Sequence, residues 1–280
     1  IFVDEGQDYT TEWLRIIMQN FLLVPNGELV VFGDPKQNVY QRPLDANGDI
    51  RLGIIGGQWN RQLTTSRRFT NPRLANLATA FQTQFMANLP TDDIVAENTI
   101  SNTFNFQIVT YIDLRQNNSI ESIITNIINI ISNDNNEARD FAVLASSTKL
   151  LRNIDILYRQ RTNEQTEITF ISNETLERLK QIHQVTDEKA ANWKFNRDFE
   201  ALERTRKQLF TTDKRCLKIS TIQSFKGWES PSVIVILHNT TSRPMSPQTI
   251  YTAITRAREN MYIINIGNDT YHNFFYNQTL

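Results

Sequence analysis

Short apolar runs that stop at polar clusters alternate along this chain with stretches of helical hydrophobic spacing. The first run, Ile1-Phe2-Val3, ends at Asp4-Glu5-Gly6-Gln7-Asp8. Thr10 or Thr11 then caps a predicted helix over about Glu12 to Leu22, with Trp13, Ile16, Ile17 and Leu23 on one face. Pro25-Asn26-Gly27 closes it, and Glu28 to Gly33 is a buried strand ending in Asp34-Pro35-Lys36-Gln37. Two strands are thereby expected to deliver two polar clusters to one sheet edge. A Gly-rich excursion from Pro43 to Gln58 follows.

Ser66-Arg67-Arg68 precedes a helix that starts near Asn71-Pro72 and runs to Phe85. Strands are predicted at Phe106 to Ile112, Asp140 to Ala145, Ile168 to Ile171, Cys216 to Thr221, Val233 to Leu237 and Met261 to Ile266. Helices are predicted at Ser119 to Ile131, Thr148 to Arg161 and Pro247 to Arg258. Such alternation argues for an α/β fold, a parallel sheet covered by helices on both faces. Glu174 to Thr211 breaks the rhythm and reads as an inserted helical pair. Trp13, Trp59, Trp193 and Trp228 are read as packing residues.

Composition narrows the class. With 40% hydrophobic residues in 280, the chain can hold one large core or two smaller ones. No apolar run approaches a membrane span. The net charge of -1 gives no global field for nucleic acid, so any such contact has to be local. One cysteine, Cys216, cannot form an internal disulfide, and the spacing of the 3 histidines does not suit zinc. A cytoplasmic location is the expectation.

Acids at the end of a buried strand suit a magnesium nucleotide at the carboxyl edge of a parallel sheet. Alone, acids such as Asp4 and Glu5 after a buried strand are more often a solvated turn or a helix N-terminus. The order of five clusters is more specific: Val3-Asp-Glu-Gly-Gln-Asp8, Gly33-Asp-Pro-Lys-Gln-Asn-Val-Tyr40, Leu63-Thr-Thr-Ser-Arg-Arg68, Ser220-Thr-Ile-Gln-Ser-Phe-Lys-Gly-Trp-Glu229 and Tyr251-Thr-Ala-Ile-Thr-Arg-Ala-Arg258. The series resembles motifs II to VI of superfamily 1 DNA helicases of the UvrD/Rep type and spans nearly the whole chain.

The resemblance implies a RecA-like, P-loop NTPase-like sheet preceded by part of a first RecA-like domain: residues 1–61 as the end of the first, 62–280 as the second, with a short helical insertion at about 173–213. It implies ATP and Mg²⁺ as cofactors, and single-stranded DNA and duplex junctions as partners. In such enzymes the first domain supplies acids and the second supplies arginines to the nucleotide. Asp4 matches the Mg²⁺ position, Glu5 the water-activating carboxylate and Gln37 the γ-phosphate sensor. Arg68 and Arg256 match the phosphate-contacting arginines, with Arg67 a rival to Arg68. Gly227 and Glu229 match positions beside the nucleotide. Tyr40 matches a base-stacking aromatic, and Thr221, Gln223 and Lys226 a DNA-contacting motif.

The chain departs from the family pattern in places. Gln223 stands where His is usual, and Gln41-Arg42-Pro43 replaces the Arg-Trp-Arg-Gly that carries a second stacking aromatic. No Gly-x-x-x-x-Gly-Lys-Ser/Thr occurs in these 280 residues. A phosphate loop is therefore expected upstream of Ile1, and the 280 residues alone are expected not to hydrolyse ATP. Two alternatives stay open: a DNA-stimulated translocase that does not unwind, and a degenerate RecA-like scaffold that binds a partner. Plainer readings also stand for single residues: a strand-ending turn for Gly33-Asp34-Pro35, a solvated helix face for Arg256 and Arg258, and a half-buried loop aromatic for Tyr40.

Overall fold

Backbone hydrogen bonding between the first two apolar runs sets the frame of the N-terminal part. In the computed structural model, β1 (Phe2–Val3) and β2 (Val30–Val31) pair in parallel with Phe2 opposite Val30 and Val3 opposite Val31. The structure describes residues 1–22, 27–53, 59–60, 65–66, 69–90, 93–94, 108–133, 137–188, 191–239 and 245–279. Two units group within it, one of residues 1–103 with 246–255, the other of 104–245 with 256–280. The boundary expected at 61/62 lies outside the described residues.

In the first unit, α1 (Thr11–Phe21) starts at Thr10, whose hydroxyl accepts from the Trp13 amide. Its buried side chain is Leu14, whereas Trp13 and Ile16 are about half exposed. The apolar face expected from Trp13 and Ile16 is thus not the buried one; Leu23 lies outside the described residues. β3 (Thr65–Ser66) pairs in parallel with β4 (Asp93–Ile94). Between them α2 (Pro72–Phe85) begins at the Asn71 cap and buries Leu74, Leu77, Ala78 and Phe81.

The second unit is built on a six-stranded sheet whose neighbours are all parallel. In chain order it comprises β5 (Val109–Asp113), α3 (Ile120–Asn133), β6 (Phe141–Ala145), α4 (Thr148–Thr162) and β7 (Thr166–Ile168). These are followed by α5 (Asn173–His183), α6 (Trp193–Leu209), β8 (Leu217–Thr221) and β9 (Ser230–Leu237). Next comes α7 (Pro247–Ile254), which groups with the first unit, then β10 (Ala257–Asn265) and α8 (His272–Gln278). The strand order is β5-β10-β9-β6-β8-β7. β6 and β9 are apolar and buried nearly throughout, the pattern of strands covered on both faces.

Alternation along the strands sorts the core. Phe141, Val143, Ala145, Ile219, Ile234, Ile236 and Ile264 pack with Ile123, Ile124 and Ile127 of α3 and with Leu151, Ile154 and Tyr158 of α4. Ile112 joins this face, so its neighbour Tyr111 points the other way, where its ring stacks on Phe275 of α8 at 6.5 Å. Helices therefore flank both faces of the sheet, as expected.

Several boundaries differ from those read along the chain. The edge strand is Thr166–Ile168, because its ladder is set by β8, and the run continues out of the sheet to place Ile171 in a separate core. That core, with Leu176, Leu179 and Phe195, holds α5 against α6, the expected helical pair. α7 stops at Ile254, not Arg258, because Ala257 already pairs with Ser230 in the sheet. Trp193 is 66% exposed and so is not a core residue.

Candidate functional site

The carboxyl ends of β1 and β2 lie side by side, so the two polar clusters that follow them meet. Glu5 sits in the left-handed region (φ 53°), a conformation uncommon for a side chain with Cβ and enriched where function over-determines the backbone. Its Oε2 accepts from Gln7 Nε2 at 2.5 Å, and Gln7 Oε1 accepts from the Asp34 amide at 3.0 Å. Asp34 Oδ2 in turn accepts from Gln37 Nε2 at 2.8 Å, and Asp34 Oδ1 accepts from the Lys36 amide at 2.9 Å. A continuous polar line, Glu5–Gln7–Asp34–Gln37, thus joins the ends of the two strands.

Gln7 is fully buried, and Gly33 lets it approach. A Cβ on Gly33 would stand 2.9 Å from Gln7 Oε1 and 2.4 Å from Ile50 Cδ1. Lys36 is buried as well, and its Nζ donates to the Pro90 carbonyl at 2.7 Å. Asp4 is exposed, with Oδ1 accepting from the Glu5 amide at 2.8 Å. Chain order pointed to Asp4, Glu5 and Gln37 but passed over Gln7 and Asp34. An Asn or Gln placed between two acidic clusters on paired strands is the signal that would have found them.

Tyr40 follows this line and is 53% exposed. Burial of its inner edge, with the Asp8 charge adding to it, raises its phenol pKa, while Arg42 works in the opposite sense. Arg67 and Arg68 lie outside the described residues.

In the second unit, Thr221 ends β8 and its Oγ1 accepts from the Ser224 amide at 3.1 Å, opening a turn. Gln223, Lys226 and Gly227 lie on that turn. The Gly227 φ of 86° is the conformation that glycine admits most easily. Trp228 packs edge-on against Phe210 at 5.6 Å, so it is a packing residue as expected. Arg256 is 2% exposed and lies in the turn between α7 and β10, not on a helix face. Its Nη1 donates to the Trp228 carbonyl at 3.3 Å, and its own carbonyl accepts from the Ser230 amide at 3.0 Å. The fold therefore brings Gly227, Glu229 and Arg256 into one neighbourhood. Arg258, one turn of strand later, is exposed.

The carboxyl edge of the sheet, at the other end of β9 from Glu229 and Arg256, holds two residues that the sequence did not single out. Ser146 follows β6 and His238 follows β9, and Ser146 Oγ lies 2.9 Å from His238 Nε2. Burial holds the His238 imidazole below its usual pKa, which favours the neutral ring. These two, with Thr221 opposite Ala145 in the ladder, make a polar rim at the carboxyl ends of β6, β8 and β9. Among the described residues no group of three or more His, Cys, Asp or Glu could enclose a metal ion, and no helix is long and apolar enough to cross a membrane.

No curated protein matches the chain. Its structure is similar to that of the C-terminal domain of a possible DNA helicase from Lactobacillus plantarum WCFS1. The two share 13% identity and a TM-score of 0.41, over 72% of this chain and 89% of that one. The stretch that holds the Thr221 turn, the Gly227–Glu229 loop and Arg256 carries a sequence signature of its own: residues 217–264 match the family of UvrD-like helicase C-terminal domains.

Proposed function

We propose that this chain supplies motifs II to VI of an ATP-dependent DNA helicase that couples ATP hydrolysis to movement along single-stranded DNA, 3′ to 5′, and to duplex unwinding. The observation that carries the reading is the line Glu5–Gln7–Asp34–Gln37 across the paired ends of β1 and β2. Residues 1–61 are then the end of a first RecA-like domain, and the six-stranded parallel sheet belongs to a second RecA-like domain. Exposure of Phe2 at 78% and Phe32 at 40% supports the first assignment, since a two-stranded sheet with bare apolar faces is marginal by itself.

The donor set fits a magnesium nucleotide. Mg²⁺ keeps several waters and takes one or two carboxylates plus phosphate oxygens, so the exposed carboxylate of Asp4 suits it without an enclosing cage of protein ligands. When bound, the metal nucleotide supplies the electrophilic phosphorus and charge neutralisation. Glu5 accepts the proton of the attacking water. Gln37 reads the γ-phosphate with its amide, and because that amide sits on Asp34, a change there passes through Gln7 to Glu5. Arg256 is the phosphate arginine, with Arg68 as a second one, and Gly227 and Glu229 flank the nucleotide. Thr221, Gln223, Lys226 and Tyr40 contact single-stranded DNA.

A second reading, translocation without unwinding, is favoured by the small size of the α5–α6 insertion, Asn173–His183 and Trp193–Leu209. Both are tested on the intact gene product. ATPase activity should rise with single-stranded DNA and fall by at least about 100-fold in Glu5→Gln, while the 280 residues alone show no steady turnover. Turnover by the 280 residues that Glu5→Gln abolishes would overturn the need for a phosphate loop elsewhere. Strand displacement by the intact protein separates helicase from translocase.

A further inference from the structure

We propose that Trp13 and Arg42 join Tyr40 in one composite surface on which single-stranded nucleic acid lays its bases. The inference rests on the nucleic-acid reading above and extends it to Trp13, outside the five clusters, and to Arg42, in the stretch after Tyr40 where the chain departs from the family pattern. Trp13 is 52% exposed and Tyr40 is 53% exposed, and they come from different elements, α1 and the loop after β2. The Arg42 guanidinium carbon lies 5.8 Å from the centre of the Trp13 ring and 5.9 Å from that of Tyr40, so one cation serves both.

The arrangement is held from beneath. Gln41 takes a left-handed φ of 52°, bending the chain after Tyr40. The Arg42 amide donates to Asn38 Oδ1 at 2.8 Å, and the Arg42 carbonyl accepts from Asn38 Nδ2 at 2.7 Å, with Asn38 buried. Tyr9 and Trp13 meet at right angles, with ring centres 6.2 Å apart, which steadies the indole. α1 is anchored by Leu14, which is fully buried, while about half of Trp13 is open. Among the described residues none gives the buried Arg42 Nε a hydrogen-bond partner.

Two open rings with a shared cation fit the single strand, because any base has a π face to stack and the backbone brings the anion. Among the described residues, Asp8 is the carboxylate whose charge acts on Tyr40. The sequence lacks the second stacking aromatic in its usual place after Tyr40; here α1 supplies it from another element.

Binding of a fluorescent oligothymidylate of about 20 nucleotides to the 280-residue chain, measured by anisotropy over a salt series, tests the proposal. Trp13→Leu should weaken binding by about 5- to 100-fold with an unchanged salt slope, and Trp13→Phe should retain most of it. Arg42→Ala should lower the slope of log affinity against log salt by about 1. If Trp13→Leu and Arg42→Ala bind like the parent while Tyr40→Leu is weakened, the composite surface is wrong and the nucleic-acid reading survives. Trp13→Phe as weak as Trp13→Leu would overturn stacking. No binding by the parent chain at low salt overturns both readings together.

Discussion

A guanidinium with 2% of its surface exposed is held by its neighbours, and this alters how Arg256 should be tested. Removal to Ala leaves the Trp228 carbonyl short of a donor, a cost of about 1–3 kcal/mol, or roughly 2–12 °C in melting temperature for a chain of this size. Arg256→Lys keeps a charged donor within reach of that carbonyl but loses the planar fork. We expect Arg256→Lys to restore most of the melting temperature lost in Arg256→Ala. ATPase of the intact protein should fall by at least about 1,000-fold in both. Recovery of turnover with Lys would reduce Arg256 to a structural link between the Trp228 loop and the start of β10. At this scale Asp4, Glu5 and Gln37 were legible because a carboxylate after a buried strand is conspicuous. Gln7 and Asp34 were not, because their importance lies in whom they bond, and the partner of Asp34 is 27 residues away.

Elements follow the same division. α3, α4, β6 and β8 stand within a residue or two of where periodicity placed them, since each has a strong pattern and a cap or polar stop of its own. β7 and α7 do not, because their limits are set by partners: β8 stops pairing after Ile168, and β9 captures Ala257. The α5–α6 pair has its own small core of Ile171, Leu176, Leu179 and Phe195, separate from that of the sheet. Phe195→Ala, at a cost of about 3–5 kcal/mol if the cavity does not collapse, should therefore loosen this pair first. Hydrogen exchange is the measurement: amides of 173–183 and 193–209 should lose protection while those of β6, β8 and β9 keep theirs. Uniform loss throughout the sheet would show that the pair folds with the sheet and not as a unit of its own.

For the whole molecule the clearest solution prediction concerns acid. The imidazole of His238 is held below its ordinary value by burial, so near pH 6.5 and below the unfolded chain binds this proton more readily than the folded one. From His238 stability should be flat between about pH 7 and 8 and decline as pH falls from about 6.5 toward the folded value. Asp113, beside Arg115, and Glu174, capped by its own backbone amide and Ser172, are held below the usual carboxylate range and act only at lower pH. Melting curves from pH 8 to 5 should show the slope, and His238→Gln should flatten it; an unchanged slope would mean that other groups titrate there. What the sequence determined by itself was the α/β alternation, the helical pair and the order of the polar clusters, because these depend on local spacing and on residue chemistry. The tertiary structure decided which side chains bury, so Leu14 and not Trp13 anchors α1, and Arg256 sits inside a turn. It also decided which distant polar groups meet, since Gln7 reaches Asp34 only once Val3 pairs with Val31 and Gly33 leaves room. Burial and long-range hydrogen bonding are properties of pairs, and a linear pattern carries only one member of each pair at a time.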